Sequence, residues 1–131
     1  MTILDTHAWI WYLDNPLLLS DKARAVIEGA RRDSSLCVSS ISTWEMFMLV
    51  EKGRLSLRIP ALEWLLRAER LSFLRFVPVD NDIARLSVAL PYYPHQDPAD
   101  RMIIATALSL GAPLVTKDRK MLEYRGIDSI W

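Results

Sequence analysis

The sequence predicts an α/β domain whose mostly parallel sheet is covered by helices on both faces. Short apolar, β-prone runs alternate along the chain with stretches at helical spacing. Strands that alternate with helices need crossover connections, so they lie parallel with the helices packed on the faces. At 131 residues the chain is long enough to remove about two-thirds of its unfolded surface from water. Pro, Gly and Asn fall where short connections belong, with no repeat, low-complexity tract or long linker, so residues 1–131 are expected to form one domain.

The elements follow in order. A strand is expected at Thr2 to Leu4, then a helix from about Ala8 to Leu13 that stops at the turn Asp14-Asn15-Pro16. Ser20 and Asp21 cap a helix to about Arg32, and Leu36 to Ser39 is the second strand. Helices are expected from about Thr43 to Lys52, stopped by Gly53, and from Pro60 to about Phe73. Phe76 to Val79 reads as the third strand, and Asp80 caps a helix that ends before Pro91. After the loop Pro91 to His95, Asp97 and Pro98 open a long apolar helix. A strand at Leu114 to Thr116, a short helix around Arg119 to Tyr124 and a strand at Ile127 to Ile130 complete the chain.

Composition excludes some classes and leaves others open. The single Cys37, in an apolar stretch, reads as a buried thiol of a reduced intracellular protein. No apolar run approaches the roughly 20 residues that span a bilayer, and the N-terminus lacks a signal-peptide pattern, so a cytoplasmic protein is expected. Sixteen basic and sixteen acidic residues balance to zero, which does not advertise nucleic-acid binding. If four acids were gathered in one pocket, however, the remaining surface would carry a net +4 and could attract a polyanion.

In a parallel sheet, ligands bind beyond the carboxyl ends of the strands. Asp5 directly follows the first strand, Glu45 lies in the first turn of the helix after the second, Asp97 and Asp100 open another helix, and Asp118 lies just past Leu114-Val115-Thr116. Each acid has an alternative explanation as a cap: Ser42-Thr43-Trp44-Glu45 matches a capping box, and Asp118 can start the short helix after it. Capping explains Asp5 least well, because nothing in Thr6-His7-Ala8-Trp9 asks for it. Asp97 reads as the cap of its helix, whereas Asp100 heads the stripe Ile103, Ile104 and Ala107 that should face the core.

Carboxylates converging at a dry edge raise each other's pKa unless a cation holds them, so the pattern implies a metal. His7 and His95 are too isolated to build a zinc site, and an all-oxygen set suits Mg²⁺ or Mn²⁺. Such ions support phosphodiester hydrolysis. No Ser-His-Asp or Cys-His set, P-loop or GxGxxG competes.

The segments ILDTHAWIW, SSISTWEMFMLVEKGRLSL, HQDPADRMIIATAL and PLVTKDRKMLEY, in this order and spacing, resemble the PIN-domain ribonucleases, specifically VapC-type toxins of toxin and antitoxin pairs. The resemblance implies an α/β/α sandwich with a roughly five-stranded parallel sheet and a Mg²⁺- or Mn²⁺-dependent endoribonuclease. It makes Asp5 and Asp100 the principal metal ligands, with Glu45 ligating or orienting water and Asp118 supporting a second ion or the water. Thr116, in the T-x-D pattern, looks like the residue that hydrogen-bonds this cluster, with Thr6 in a similar role. Arg101 and Lys117 are the candidate substrate contacts. Gln96 stands where relatives carry a basic residue, and Ala99 where they carry a larger apolar one.

The resemblance further implies a homodimer inhibited by an antitoxin. The helix Ala8 to Leu13 is apolar all round, as either a central helix or an interface requires, and the helix Leu62 to Phe73 could flank a partner groove. Two other functions are open: a PIN nuclease that is not a toxin, acting in RNA maturation or on structured DNA, and a signalling receiver domain with Asp80 as phosphoacceptor and Lys117 as its late-strand lysine.

Overall fold

The computed structural model describes residues 1–131. Five strands, β1 (Thr2–Leu4), β2 (Leu36–Ser39), β3 (Leu74–Val77), β4 (Leu114–Val115) and β5 (Ser129–Ile130), form one sheet in the order β3-β2-β1-β4-β5. Every neighbouring pair is parallel. Seven helices connect and cover them: α1 (Thr6–Asp14), α2 (Asp21–Arg32), α3 (Ser40–Glu51), α4 (Ala61–Glu69), α5 (Asn81–Val88), α6 (Pro98–Leu110) and α7 (Arg119–Leu122). The chain builds outward from β1 through β2 to β3, then returns to add β4 and β5 on the other side. That reversal makes the C-terminal end of β1 a topological switch point, where a crevice opens.

The side-chain alternation of the strands divides the core in two. Leu4, Leu36, Val38, Leu74 and Val115 face α1, α2 and α4 in one cluster around Trp9, Ile27 and Trp64. Ile3, Cys37 and Leu114 face α5, α6 and α7 in the other, around Ile83, Ile103, Ile104 and Met121. Adjacent residues of β1 thus serve opposite layers, as a strand covered on both faces must. Trp9 lies fully buried, edge-on to Trp64 and Phe76 at centroid separations of 5.0 and 5.6 Å. The apolar α1 is therefore a core helix.

Several boundaries differ from expectation, each for a local reason. α1 starts at Thr6 rather than Ala8 because Asp5 caps it. α3 starts at Ser40 because the Ser39 hydroxyl accepts the Ile41 N–H. Ser42 is therefore inside the helix, and the expected capping box does not form. Glu45 sits past the first turn. β3 lies two residues earlier than expected, and α4 ends at Glu69 rather than Phe73. Asp14-Asn15-Pro16 leads into a single 3₁₀ turn at Pro16–Leu18. Helix α7 is shorter than expected, and β5 begins at Ser129 rather than Ile127.

Candidate metal centre

Each acid reaches the crevice from a different segment. Asp5 ends β1 and is buried; its Oδ1 accepts the Ala8 N–H at 2.8 Å and its Oδ2 accepts the Thr116 hydroxyl at 2.5 Å. It is thus both the cap of α1 and a wall of the crevice, and the expectation that no cap was needed there is corrected. The Thr116 oxygen in turn accepts the Asp118 N–H at 3.0 Å, so one hydroxyl ties the ends of β1 and β4 together. Asp118 caps α7 through the Lys120 N–H. Asp97 caps α6 through the Asp100 N–H at 2.9 Å, which leaves the Asp100 carboxylate free at the positive end of that helix. Ile103, Ile104 and Ala107 below it are buried as expected.

These residues line a cavity of about 500 Å³ whose walls include Asp5, Glu45, Asp97, Asp100, Lys117 and Asp118. Carboxylate oxygens of Glu45, Asp97 and Asp100 lie within 4.8 Å of one another. Asp97, expected mainly as a cap, thus caps and joins the acidic group as well. Asp5 and Asp118 face the same cavity without belonging to that tightest set.

The electrostatics match this crowding. Burial pushes the Asp5 carboxyl up to about 6, partly offset by the Thr116 and Ala8 hydrogen bonds. Burial also pushes Asp100 up to about 7, reinforced by Asp97, Asp118 and Glu45 and opposed by Lys120. Neighbouring anions and a dry setting both favour the protonated acid. A divalent cation relieves both penalties, and the donors are all oxygens, which fits a hard ion such as Mg²⁺ or Mn²⁺.

Two side chains behave differently from expectation, and a third was not anticipated. The Thr6 hydroxyl donates to Ser42 Oγ at 2.8 Å and so joins α1 to α3 instead of holding an acid. Arg101 spends its guanidinium on the carbonyl oxygens of Ser87, Val88, Tyr93 and His95, at 2.7 to 3.2 Å, and does not line the cavity. Its place is therefore that of a clamp on the loop before α6, a different occupation from the phosphate contact expected. Lys120 was missed by sequence reasoning: its Nζ stands 3.8 Å from Asp100 and 3.9 Å from Asp118. Asp118 is two residues before it, but Asp100 is twenty residues away and meets it only in the fold. Lys117 lies at the cavity with Nζ 5.7 Å from the Trp11 ring centroid. Asp80 caps α5 beyond the edge strand β3, outside the cavity, where a receiver's acceptor would not be.

Residues 2–127 match the PIN domain family. The chain belongs to that family. This PIN domain is 40% identical over 123 residues to Ribonuclease VapC22 of Mycobacterium tuberculosis, covering 94% of this chain and 91% of the relative. Among solved structures it is similar to VapBC2 from Rickettsia felis bound to a promoter DNA fragment, with a TM-score of 0.71 at 17% identity over 98% of this chain and 96% of that one. It is also similar to FitAcB from Neisseria gonorrhoeae, with a TM-score of 0.70 at 19% identity over 100% of this chain and 97% of that one. These two likenesses concern the fold, and the PIN sheet order and acid crevice agree with it.

Proposed function

We propose that this PIN domain is a metal-dependent endoribonuclease and the toxin of a toxin and antitoxin pair. The observation that carries the reading is the convergence of Glu45, Asp97 and Asp100 on one point, beside the raised Asp5 carboxyl, at the switch point of the sheet. The 40% identity to a VapC ribonuclease supports the same chemistry.

Asp5, Asp100 and Glu45 would hold the ion, with Asp97 and Asp118 completing the ring of charge. A bound Mg²⁺ or Mn²⁺ supplies Lewis acidity at a phosphate oxygen and lowers the pKa of a coordinated water. The chain's own contribution is orientation. Thr116 fixes the Asp5 carboxylate and, through the Asp118 N–H, the spacing of β1 and β4. The α6 N-terminus and the Asp97 cap aim Asp100 into the cavity. Lys120 counters the acids before RNA arrives, and Lys117 is the candidate phosphate contact at the rim.

An antitoxin and a second copy of the chain are the expected protein partners. Trp44 on α3 and Leu62 and Leu66 on α4 are 57%, 61% and 46% exposed on two helices that pack together, and offer the apolar surface a partner needs. A toxin of cellular RNA works in the cytoplasm, and no helix here is long and apolar enough to cross a membrane.

Purified protein, free of antitoxin, is expected to cut structured RNA with Mg²⁺ or Mn²⁺ and to lose that activity on Asp5→Ala or Asp100→Ala. Cleavage that survives both substitutions contradicts the reading.

A further inference from the structure

Beside the acid cavity lies a second cleft, of about 690 Å³, walled by Tyr92, Tyr93, His95, Lys120, Tyr124 and Arg125. Its volume falls in the roughly 300–1,000 Å³ range of small-ligand sites. The two cavities adjoin at Lys120, which lines the cleft while its Nζ contacts the acids Asp100 and Asp118 of the other.

Tyr93 is buried in the core and Tyr124 packs against the same cluster, so the fold accounts for that pair but not for the exposed ring beside it. Tyr93 stands edge-on to Tyr124 and His95, at centroid separations of 5.0 and 5.2 Å. The Tyr124 hydroxyl donates to the Pro91 carbonyl at 2.8 Å, and a Cβ on Gly126 would overlap the Tyr124 ring, so glycine leaves room for it. Tyr92 is the odd member. Its backbone is held in the left-handed region at φ 61°, a conformation that disfavours bulky residues, while its ring is 98% exposed. Strain and exposure together cost stability and return none to the fold. Arg101 holds the loop that carries these rings, through the Tyr93 and His95 carbonyls.

Charge selects the occupant. Arg125 forms no salt bridge, Glu123 is engaged by Arg119 at 3.6 Å, and Lys120 stands at the inner end, so the cleft offers cations between π-faces. Single-stranded nucleic acid is bound by that combination, with bases on aromatic faces and phosphates on cations. We propose that this cleft is a nucleobase subsite, in which an unpaired base flanking the scissile phosphate stacks on Tyr92 and Tyr124 while Lys120 guides the connecting phosphate toward the acids. The subsite rests on the ribonuclease reading and adds to it a cause for sequence preference beside the cut.

The test uses the Asp100→Asn protein, so that the strand stays intact, and a fluorescein-labelled single-stranded RNA of about ten nucleotides followed by anisotropy. Tyr92→Ala, whose exposed ring the fold does not need, is expected to weaken binding about tenfold, and Tyr92→Phe to stay within about twofold. With Asp100 restored, Tyr92→Ala should also flatten the base preference beside the mapped cut. Unchanged affinity and unchanged cut-site preference, in a protein that cuts RNA, overturn the subsite and leave the nuclease standing. Lost antitoxin binding with unchanged RNA affinity assigns the cleft to a protein partner and overturns it too. Absence of RNA cleavage with either ion overturns the nuclease reading, and the subsite with it.

Discussion

Asp5 and Asp100 bind their protons more tightly in the folded chain than in the unfolded one, where an Asp stays near 3.8. Between that value and about 7 the folded state therefore holds more protons, so the ion-free protein loses stability as pH rises through the window. Urea midpoints in EDTA should fall from pH 5 to pH 8, Asp100→Asn should flatten the slope, and added Mn²⁺ should restore the midpoint at pH 8. A pH-independent midpoint contradicts the raised carboxyls. Thr116 is the second test at this scale, because its hydroxyl serves two strand ends at once. Thr116→Val leaves the part-buried Asp118 N–H and the Asp5 Oδ2 without their partner, while Asp5 Oδ1 keeps the Ala8 N–H; it is expected to cost about 1–3 kcal/mol and to reduce RNA cleavage roughly 10- to 100-fold. The acids themselves were legible in the sequence because they follow strands. That Asp5 also caps α1 was not, since a cap and a cavity acid use the same residue type, and Lys120 was missed because Asp100, twenty residues before it, is brought to it only by the fold.

The start of α6 shows how one element serves stability and chemistry together. Asp97 caps the helix with one oxygen while lying near Glu45 and Asp100. Asp97→Ser should keep the cap and the urea midpoint but weaken Mn²⁺ binding by calorimetry, whereas Asp97→Ala should lose both, with a stability cost of about 1 kcal/mol. Equal ion affinity in all three proteins assigns Asp97 to capping alone. The next residue but three, Arg101, carries a different load: two carbonyls at the end of α5 and two of the loop before α6 share its guanidinium. Arg101→Lys cannot reproduce that fork, and a loss of about 2–4 kcal/mol by urea unfolding is expected even for the charge-conserving change. Element types were readable from period and punctuation, and the α6 cap was read to the residue. Starts that depend on a choice between neighbouring hydroxyls were not: Ser39 and Ser42 are both competent caps, and β2 decides by ending at Ser39. The same limit shifted β3, where Leu71 to Val79 is apolar enough to be a strand in more than one register and only pairing with β2 selects Leu74–Val77.

For the molecule as a whole, the sheet order explains why the acids, separated by up to a hundred residues and more, meet at all. The switch at β1 puts Asp5 between the segments that carry Glu45 on one side and Asp118 on the other, and α6 crosses to deliver Asp97 and Asp100. Strand and helix alternation made the parallel sheet and the placing of the acids at one edge legible; the order of its strands came only with the structure. The molecule balances its charge while concentrating acids in one cavity, which leaves cations such as Arg125 and Lys117 for a polyanion. The central claim is that this cavity holds a divalent ion that lets the chain cut RNA. The most direct measurement is the initial rate of cleavage of one structured RNA against Mn²⁺ concentration at pH 7.5, for the wild type and for Asp100→Asn. Saturable, ion-dependent cleavage by the wild type, abolished by EDTA, is expected, with a loss of at least 100-fold in the variant. Equal rates in EDTA and in Mn²⁺, or an undiminished rate in Asp100→Asn, would contradict that claim.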